Sequence, residues 1–340
     1  MSTRTSGQTS GLILPMLLSM GVAGLVVLAL FMPDTIRALV LFVANSLLAV
    51  APIVVPGILL AAWITASGFG DNIARAFEGR IATTVLAASL IGAITPVCGV
   101  TVLPLMAGLL SAGVPLAPIM AFWLSSPITD PAMLATTAAT LGLSFAVGKT
   151  IAAFLLGLTG GLVTAMFATR PWYQQALRQN RLVGSLGAPS CGSSAGFDPK
   201  IWTSADRRKR FRQETWSISR LILICLIPAF AAEYALNAVL QPQSLTPFIG
   251  AGNWWAVPVA VFVGAPAYLD GYAALPLTRS LIDHGMSPGA AMAFLISGGV
   301  VSIWGAMAIF PVLKIRPFLL YMGLALAGSL ASGWLFDWLA

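Results

Sequence analysis

Between Thr95 and Pro131 a chain that is otherwise nearly hydrocarbon is broken by prolines, glycines, small hydroxyls, a thiol and a carboxylate. Asp130 follows Ser125-Ser126-Pro127 and precedes Pro131, so it sits where regular helix is disfavoured. A carboxylate at membrane depth is costly and normally faces a cavity, a cation or a proton path; otherwise Asp130 caps a helix end. Asp270 stands beside Gly271, with Tyr268 and Tyr272 near it. There it suits a proton-coupled cycle, although Asp-Gly is also a plain turn signal. Cys98, next to Gly99, offers a soft ligand or merely a small packing residue. Ser125, Ser126, Thr129 and Ser297 either orient a ligand or bond back to their own helices.

Other polar groups are less specific. Lys149 and Glu233 read as interfacial, snorkelling or paired side chains. Arg279 and Asp283 have the spacing of a local ion pair, and His284 is the chain's one histidine. Cys98, Cys191 and Cys225 have neither metal-ligand nor disulfide spacing. No Walker A lysine motif, HExxH or CxxC occurs. No cofactor, resident metal or ATPase domain is expected, so transport energy would come from an ion gradient or the solute's own gradient.

The elements that must hold these groups follow from composition. Of 340 residues, 58% are hydrophobic and 9% charged, with mean hydropathy +0.90. A soluble domain carries roughly 25% charged residues, so the chain reads as an all-α polytopic membrane protein. Between Arg170 and Arg220 lie ten Lys/Arg and three acids, a surplus equal to the whole net charge of +7. That pattern marks one cytoplasmic loop and argues against a nucleic-acid partner. The cluster Arg207-Arg208-Lys209-Arg210 would attract anionic lipid headgroups.

In order, an apolar run from Gly11 to Met32 reads as a retained first transmembrane helix, within an N-terminal segment 1–35. A first membrane repeat follows over 36–168. It holds a helix from Ile36 to Ala66 interrupted at Pro52 and Pro56, the long run Ile81–Ala112, and spans near Pro115–Ala139 and Leu143–Ala168. A run as long as Ile81–Ala112 is either a broken, tilted helix or two half-helices turning back at Pro96–Gly99. A basic, flexible loop occupies 169–216. The second repeat, 217–340, has a span near Trp216–Leu240 and an interrupted segment Trp254–His284. Spans near Pro288–Phe310 and Phe318–Leu339 complete it.

The halves align without a gap at an offset of 172 residues. Pro104 falls on Pro276, Gly113 on Gly285, Met120 on Met292, Phe122 on Phe294 and Ser125 on Ser297. Cys98-Gly99 falls on Asp270-Gly271. Paired interrupted segments point to a transporter's central binding site. If each is a re-entrant hairpin, Arg4, Arg75, Arg80, Lys314 and Arg316 all share the side of the basic loop. The positive-inside count therefore favours an inverted repeat with seven full spans and two hairpins, about seven to nine membrane helices in all.

Thr95-Pro-Val-Cys-Gly-Val-Thr-Val-Leu-Pro104, then Gly113-Val-Pro115 and Ala121-Phe-Trp-Leu-Ser-Ser-Pro127, resembles the ArsP/YraQ-like family of predicted permeases. Leu275-Pro276 through Ala293-Phe-Leu-Ile-Ser297 is similar to that family's C-terminal half, so the likeness covers roughly 40–335. The resemblance implies a permease of the bacterial inner membrane, some relatives being linked to efflux of trivalent organoarsenicals. Val100 stands where the family's second motif cysteine falls, so the thiol pair is absent here. The expectation is a secondary transporter for a small solute, with Cys98, Gly99, Ser125, Ser126, Asp130, Asp270, Gly271 and Ser297 at its substrate site. A channel-like pore, an intramembrane enzyme acting on lipid, and a non-transporting scaffold are the alternatives.

Overall fold

The computed structural model describes residues 33–68, 80–95, 102–111, 113–178, 198–239, 253–265, 271–302, 305–306, 309–310 and 312–339. The proposed first span, together with Cys98, Gly99 and Asp270, lies outside them. Contacts divide the chain into two compact units, 1–49 and 50–340. The site belongs wholly to the second.

Among the described residues the structure is helical, with one isolated bridge between Leu177 and Leu313. In chain order the helices are α1 (Pro33–Ser67), α2 (Ile81–Ile94), α3 (Leu103–Ser111), α4 (Leu116–Ser125), α5 (Pro131–Leu141), α6 (Leu143–Ala165) and α7 (Pro171–Gln174). A 3-10 turn, Ile201–Thr203, precedes α8 (Ala205–Val239). Then come α9 (Ala256–Gly264), α10 (Gly271–Asp283), α11 (Pro288–Val300) and α12 (Ile315–Leu339).

Three differences from the sequence reading have physical causes. Helix α1 runs unbroken through Pro52 and Pro56; each proline removes one backbone donor, which neighbouring groups in a membrane helix can compensate. Helix α8 starts at Ala205, well before Trp216, because Asp206 favours its first turn and Arg, Lys, Gln and Glu are good helix formers. The expected span from Pro115 to Ala139 is two helices, since Pro127 and Pro131 interrupt the ladder between α4 and α5.

Length separates two kinds of helix. The 23 residues of α6 and the 25 of α12 are long and apolar enough to cross a membrane. At 1.5 Å per residue, the 14 residues of α2 and the 10 of α4 reach only about 21 and 15 Å. Along α6 the side chains of Leu143, Val147, Ile151, Leu155 and Leu162 are exposed, whereas Ala153, Gly157, Gly160, Gly161 and Thr164 face inward. Small residues inside and branched apolar ones outside is the pattern of helices that pack in lipid.

Both halves pack alike. Helix α4 rests on α2 and α6, and α11 rests on α9 and α12. A Cβ on Gly161 would strike Val85 and Ala121; a Cβ on Gly333 would strike Val257 and Ala293, the residues 172 positions on. Gly113 and Gly285 end α3 and α10 with φ of +92° and +99°. Behind them Val114 N donates to Leu109 O and Met286 N to Leu281 O, both at 3.0 Å. Only glycine takes that left-handed position without strain.

Helices α6 and α12, equivalent in the two halves, also touch each other. The rings of Phe145 and Phe336 lie 5.0 Å apart, edge to face. Leu156 packs on the bare backbone of Gly328, and Leu324 on that of Gly160. As the number climbs along α6 it falls along α12, so the pair is antiparallel.

Candidate functional site at the crossing of two broken helices

Helix α4 ends at Ser125, and Pro127 can supply no N–H to continue it. The chain turns through Ile128 and Thr129 and restarts at α5, whose first turn Asp130 caps. Its Oδ1 accepts from Ala132 N (2.8 Å) and Met133 N (2.9 Å), and Pro131 fills the first helical position. The second half repeats the device with a neutral cap: Gly305 N donates to Ser302 Oγ at 3.1 Å, and Ser302 is the counterpart of Asp130. The two breaks meet. A Cβ on Gly299 would lie 2.8 Å from Pro127 O, and Gly299 is the counterpart of Pro127.

Ser125 and Ser297 flank this contact from equivalent places. Ser125 Oγ donates back to Ala121 O (3.0 Å) and Phe122 O (3.1 Å), and Ser297 Oγ to Phe294 O (3.1 Å). Each hydroxyl covers a glycine, Gly92 on α2 and Gly264 on α9, so close that neither tolerates a Cβ. Ser126 differs: its Oγ is buried with no hydrogen-bond partner among the described residues, as is Thr137 Oγ1 on α5. A buried hydroxyl left unpaired costs about 1–3 kcal/mol, a cost that a polar ligand can relieve. Gly271 opens α10.

Lys149 is the group that the sequence reading undervalued. It sits within α6, 2% exposed, and its Nζ donates to Met133 Sδ at 3.1 Å. A thioether is a weak acceptor. The charge of Asp130 acts on the amine, but no ion pair joins the two. Its counterpart in α12 is Tyr321, whose hydroxyl donates to Val300 O at 2.8 Å and whose ring lies 5.3 Å from that of Trp123. One half therefore holds a neutral, satisfied phenol where the other holds an under-satisfied amine. A lysine two turns inside an apolar 23-residue helix was the signal available in the sequence.

The outer ends of α4 and α11 are held differently. Ala117 N, in the first turn of α4, donates to the Tyr173 hydroxyl at 3.3 Å, just beyond the C-terminus of α6. In the first turn of α11, Gly289 N donates to Asp337 Oδ1 (2.7 Å) and Ser287 Oγ to Asp337 Oδ2 (3.2 Å), near the C-terminus of α12. Arg279 and Asp283 form the expected i,i+4 ion pair at 3.0 Å, on the exposed side of α10.

Long apolar helices, half-length helices joined at broken backbone and two halves built alike fit an α-helical membrane protein. The family comparison agrees: residues 35–338 match the ArsP_1 family of predicted permeases, and the chain belongs to that family. It is also similar to a UPF0718 protein of Methanocaldococcus jannaschii, 25% identical over 330 residues, covering 82% of this chain and 90% of the relative. No solved structure matches the chain.

Proposed function

We propose that the protein is a secondary transporter of the bacterial inner membrane. Its two repeats are inverted, and a small solute passes at the crossing of their broken helices. The observation that carries this reading is the contact of equivalent breaks, Pro127 against Gly299, beside the antiparallel pair α6 and α12. Equivalent helices that pack antiparallel are related by an axis lying across them, as in inverted-repeat transporters.

Charge supports the same topology. Lys314 N donates to Ala176 O, and Arg178 N to Val312 O, both at 2.8 Å, so Lys314 and Arg316 share the side on which the basic loop begins. Arg207 reaches Ser67 O at the end of α1, bringing that end to the same side. Tyr173 holds the start of α4 there. Val85, early in α2, packs on Gly161 near the end of α6, which sets Arg80 on that face too. These positions fit α2 and α3 as a hairpin entering from the positive face, and α9 and α10 as one entering from the other.

The site in this reading comprises Ser125, Ser126, Asp130, Ser297 and Lys149, with Cys98, Gly99, Asp270 and Gly271 joining them by sequence position. Hydroxyls and an amine orient a polar solute, and the carboxylates carry the coupling proton. Transport rather than hydrolysis is the chemistry these groups suit. The test is a solute screen in proteoliposomes with an imposed proton gradient, comparing wild type with Lys149→Met, Asp270→Asn and Cys98→Ser. Saturable, gradient-driven uptake that Lys149→Met and Asp270→Asn lose is the expected result. Flux that scales linearly with solute and ignores both variants would instead describe a pore.

A further inference from the structure

The approach to α8 is a built surface. Arg207 Nη1 donates to Ser67 O (3.2 Å) and Asp198 O (3.0 Å), and Trp63 Nε1 donates to Pro199 O (3.3 Å). A guanidinium on the terminal carbonyls of α1 is a favourable C-terminal cap. Beside this latch lies a cleft of about 660 Å³, lined in part by Trp202, Arg208, Lys209, Phe211, Arg212 and Trp216. The rings of Trp202 and Phe211 meet edge to face at 5.6 Å.

Three cations from two adjacent turns therefore share one cleft with three aromatic rings. Trp202 and Trp216 nevertheless stay 66% and 72% exposed, which is unfavourable in water and normal for indoles at a membrane–water interface. Beyond Trp216 the helix turns apolar, and Leu223 and Ile227 are exposed as well. At 100° per residue, positions 208, 212, 216, 223 and 227 keep to one face and span about 28 Å. One side of α8 thus runs from cations through an indole to apolar side chains, the polarity profile of a single phospholipid.

We propose that this face binds one anionic glycerophospholipid. Its phosphate is held by Arg208, Lys209 and Arg212, its glycerol level lies between Trp202 and Trp216, and one acyl chain follows Leu223 and Ile227. Arginine suits the phosphate because its planar fork bonds two oxygens at once. A free phosphate ion would use the cations and leave the indoles and the apolar track unemployed. The site is independent of the solute path, and its test reads binding alone.

The full-length protein, purified in detergent with phosphatidylcholine, is titrated with phosphatidylglycerol, and retained lipid is counted by native mass spectrometry while unfolding is followed by heat. Phosphatidylglycerol should be retained and should raise the unfolding temperature, whereas phosphatidylcholine, glycerol 3-phosphate and inorganic phosphate should not. Arg208→Gln with Arg212→Gln should weaken retention about thirtyfold, and Trp216→Ala should weaken it at unchanged charge. Arg178→Gln with Lys314→Gln, at a second basic cleft formed with Trp172 and Gln175, should leave it intact. Equal retention of phosphatidylcholine, equal protection by inorganic phosphate, or undiminished retention by the Arg208/Arg212 variant each overturns the proposal. If that variant fails to fold, Trp216→Ala decides alone.

Discussion

Pro127 and Gly299 stand at the same position of two repeats, 172 residues apart, and lie against each other with no room for a Cβ between them. In the proposed inverted repeat, a residue that meets its own counterpart lies on the axis relating the two halves. Leu156 and Gly328 are a second such pair. On that proposal both pairs place the axis across the middle of α6 and α12, where an inverted-repeat carrier would rock.

Gly299→Val should therefore separate folding from transport. The new side chain points at Pro127 O, a backbone atom with little freedom, and overpacking of this kind costs about 1–3 kcal/mol. Folded protein should still be recovered, at a lower unfolding temperature, while initial uptake falls much further than the loss of folded protein explains. Uptake reduced only in proportion to folded protein would reduce the contact to a packing detail.

Gly264→Ala tests the equivalent seat on α9. A Cβ there would meet Ser297 Oγ at 2.5 Å and Phe294 O at 2.8 Å. Adding Ser297→Ala removes the first obstacle but not the carbonyl, so thermal unfolding should show partial rescue in the double variant. Full rescue would assign the whole constraint to the hydroxyl.

Much of this architecture was legible in the sequence because it depends on residue types with few substitutes. Glycine at 113 and 285 was an alignment match first and a left-handed turn second. Pro127 and Pro131 put Asp130 off regular helix, although the span around them read as one helix and is in fact two, α4 and α5. Ser125 and Ser297 matched for a reason the alignment could not give: they fill the space over Gly92 and Gly264. The site was less legible. Lys149 aligns with Tyr321, so the repeat signal passed over it, and only its burial beside a thioether marks it out. The long polar start of α8 read as loop because its charge suggested solvent, whereas its propensity and the Arg207 latch make it helix.

Lys149→Met should preserve the fold and abolish transport. The replacement has similar length, removes a buried charge that has no ion-pair partner among the described residues, and leaves a thioether against Met133. Its unfolding temperature should equal or exceed that of wild type, while gradient-driven uptake disappears. Retained uptake would make the amine a structural passenger.

Asp130 can be divided into its two roles by a pair of substitutions. Asparagine caps a helix as well as aspartate, whereas alanine forfeits the bonds to Ala132 N and Met133 N at about 1 kcal/mol. Asp130→Asn should thus unfold like wild type, and Asp130→Ala earlier. Loss of uptake in Asp130→Asn would show that its charge serves transport, and normal uptake would leave it a cap alone.

Glu214 lies in the polar part of α8, before the apolar stretch, and burial raises its pKa from 4.5 to about 7. Between those two values the folded chain holds a proton that the unfolded chain has released. Stability must then fall as pH rises from about 4.5 through 7, because ionising Glu214 in place leaves a poorly hydrated charge. Glu214→Gln keeps the shape and removes the titration. Thermal unfolding of wild type and variant should therefore coincide near pH 4, separate as pH rises, and stand furthest apart above pH 7, with the variant the more stable. The slope between those limits belongs to this carboxyl if the glutamine variant lacks it, and to other groups if both proteins share it.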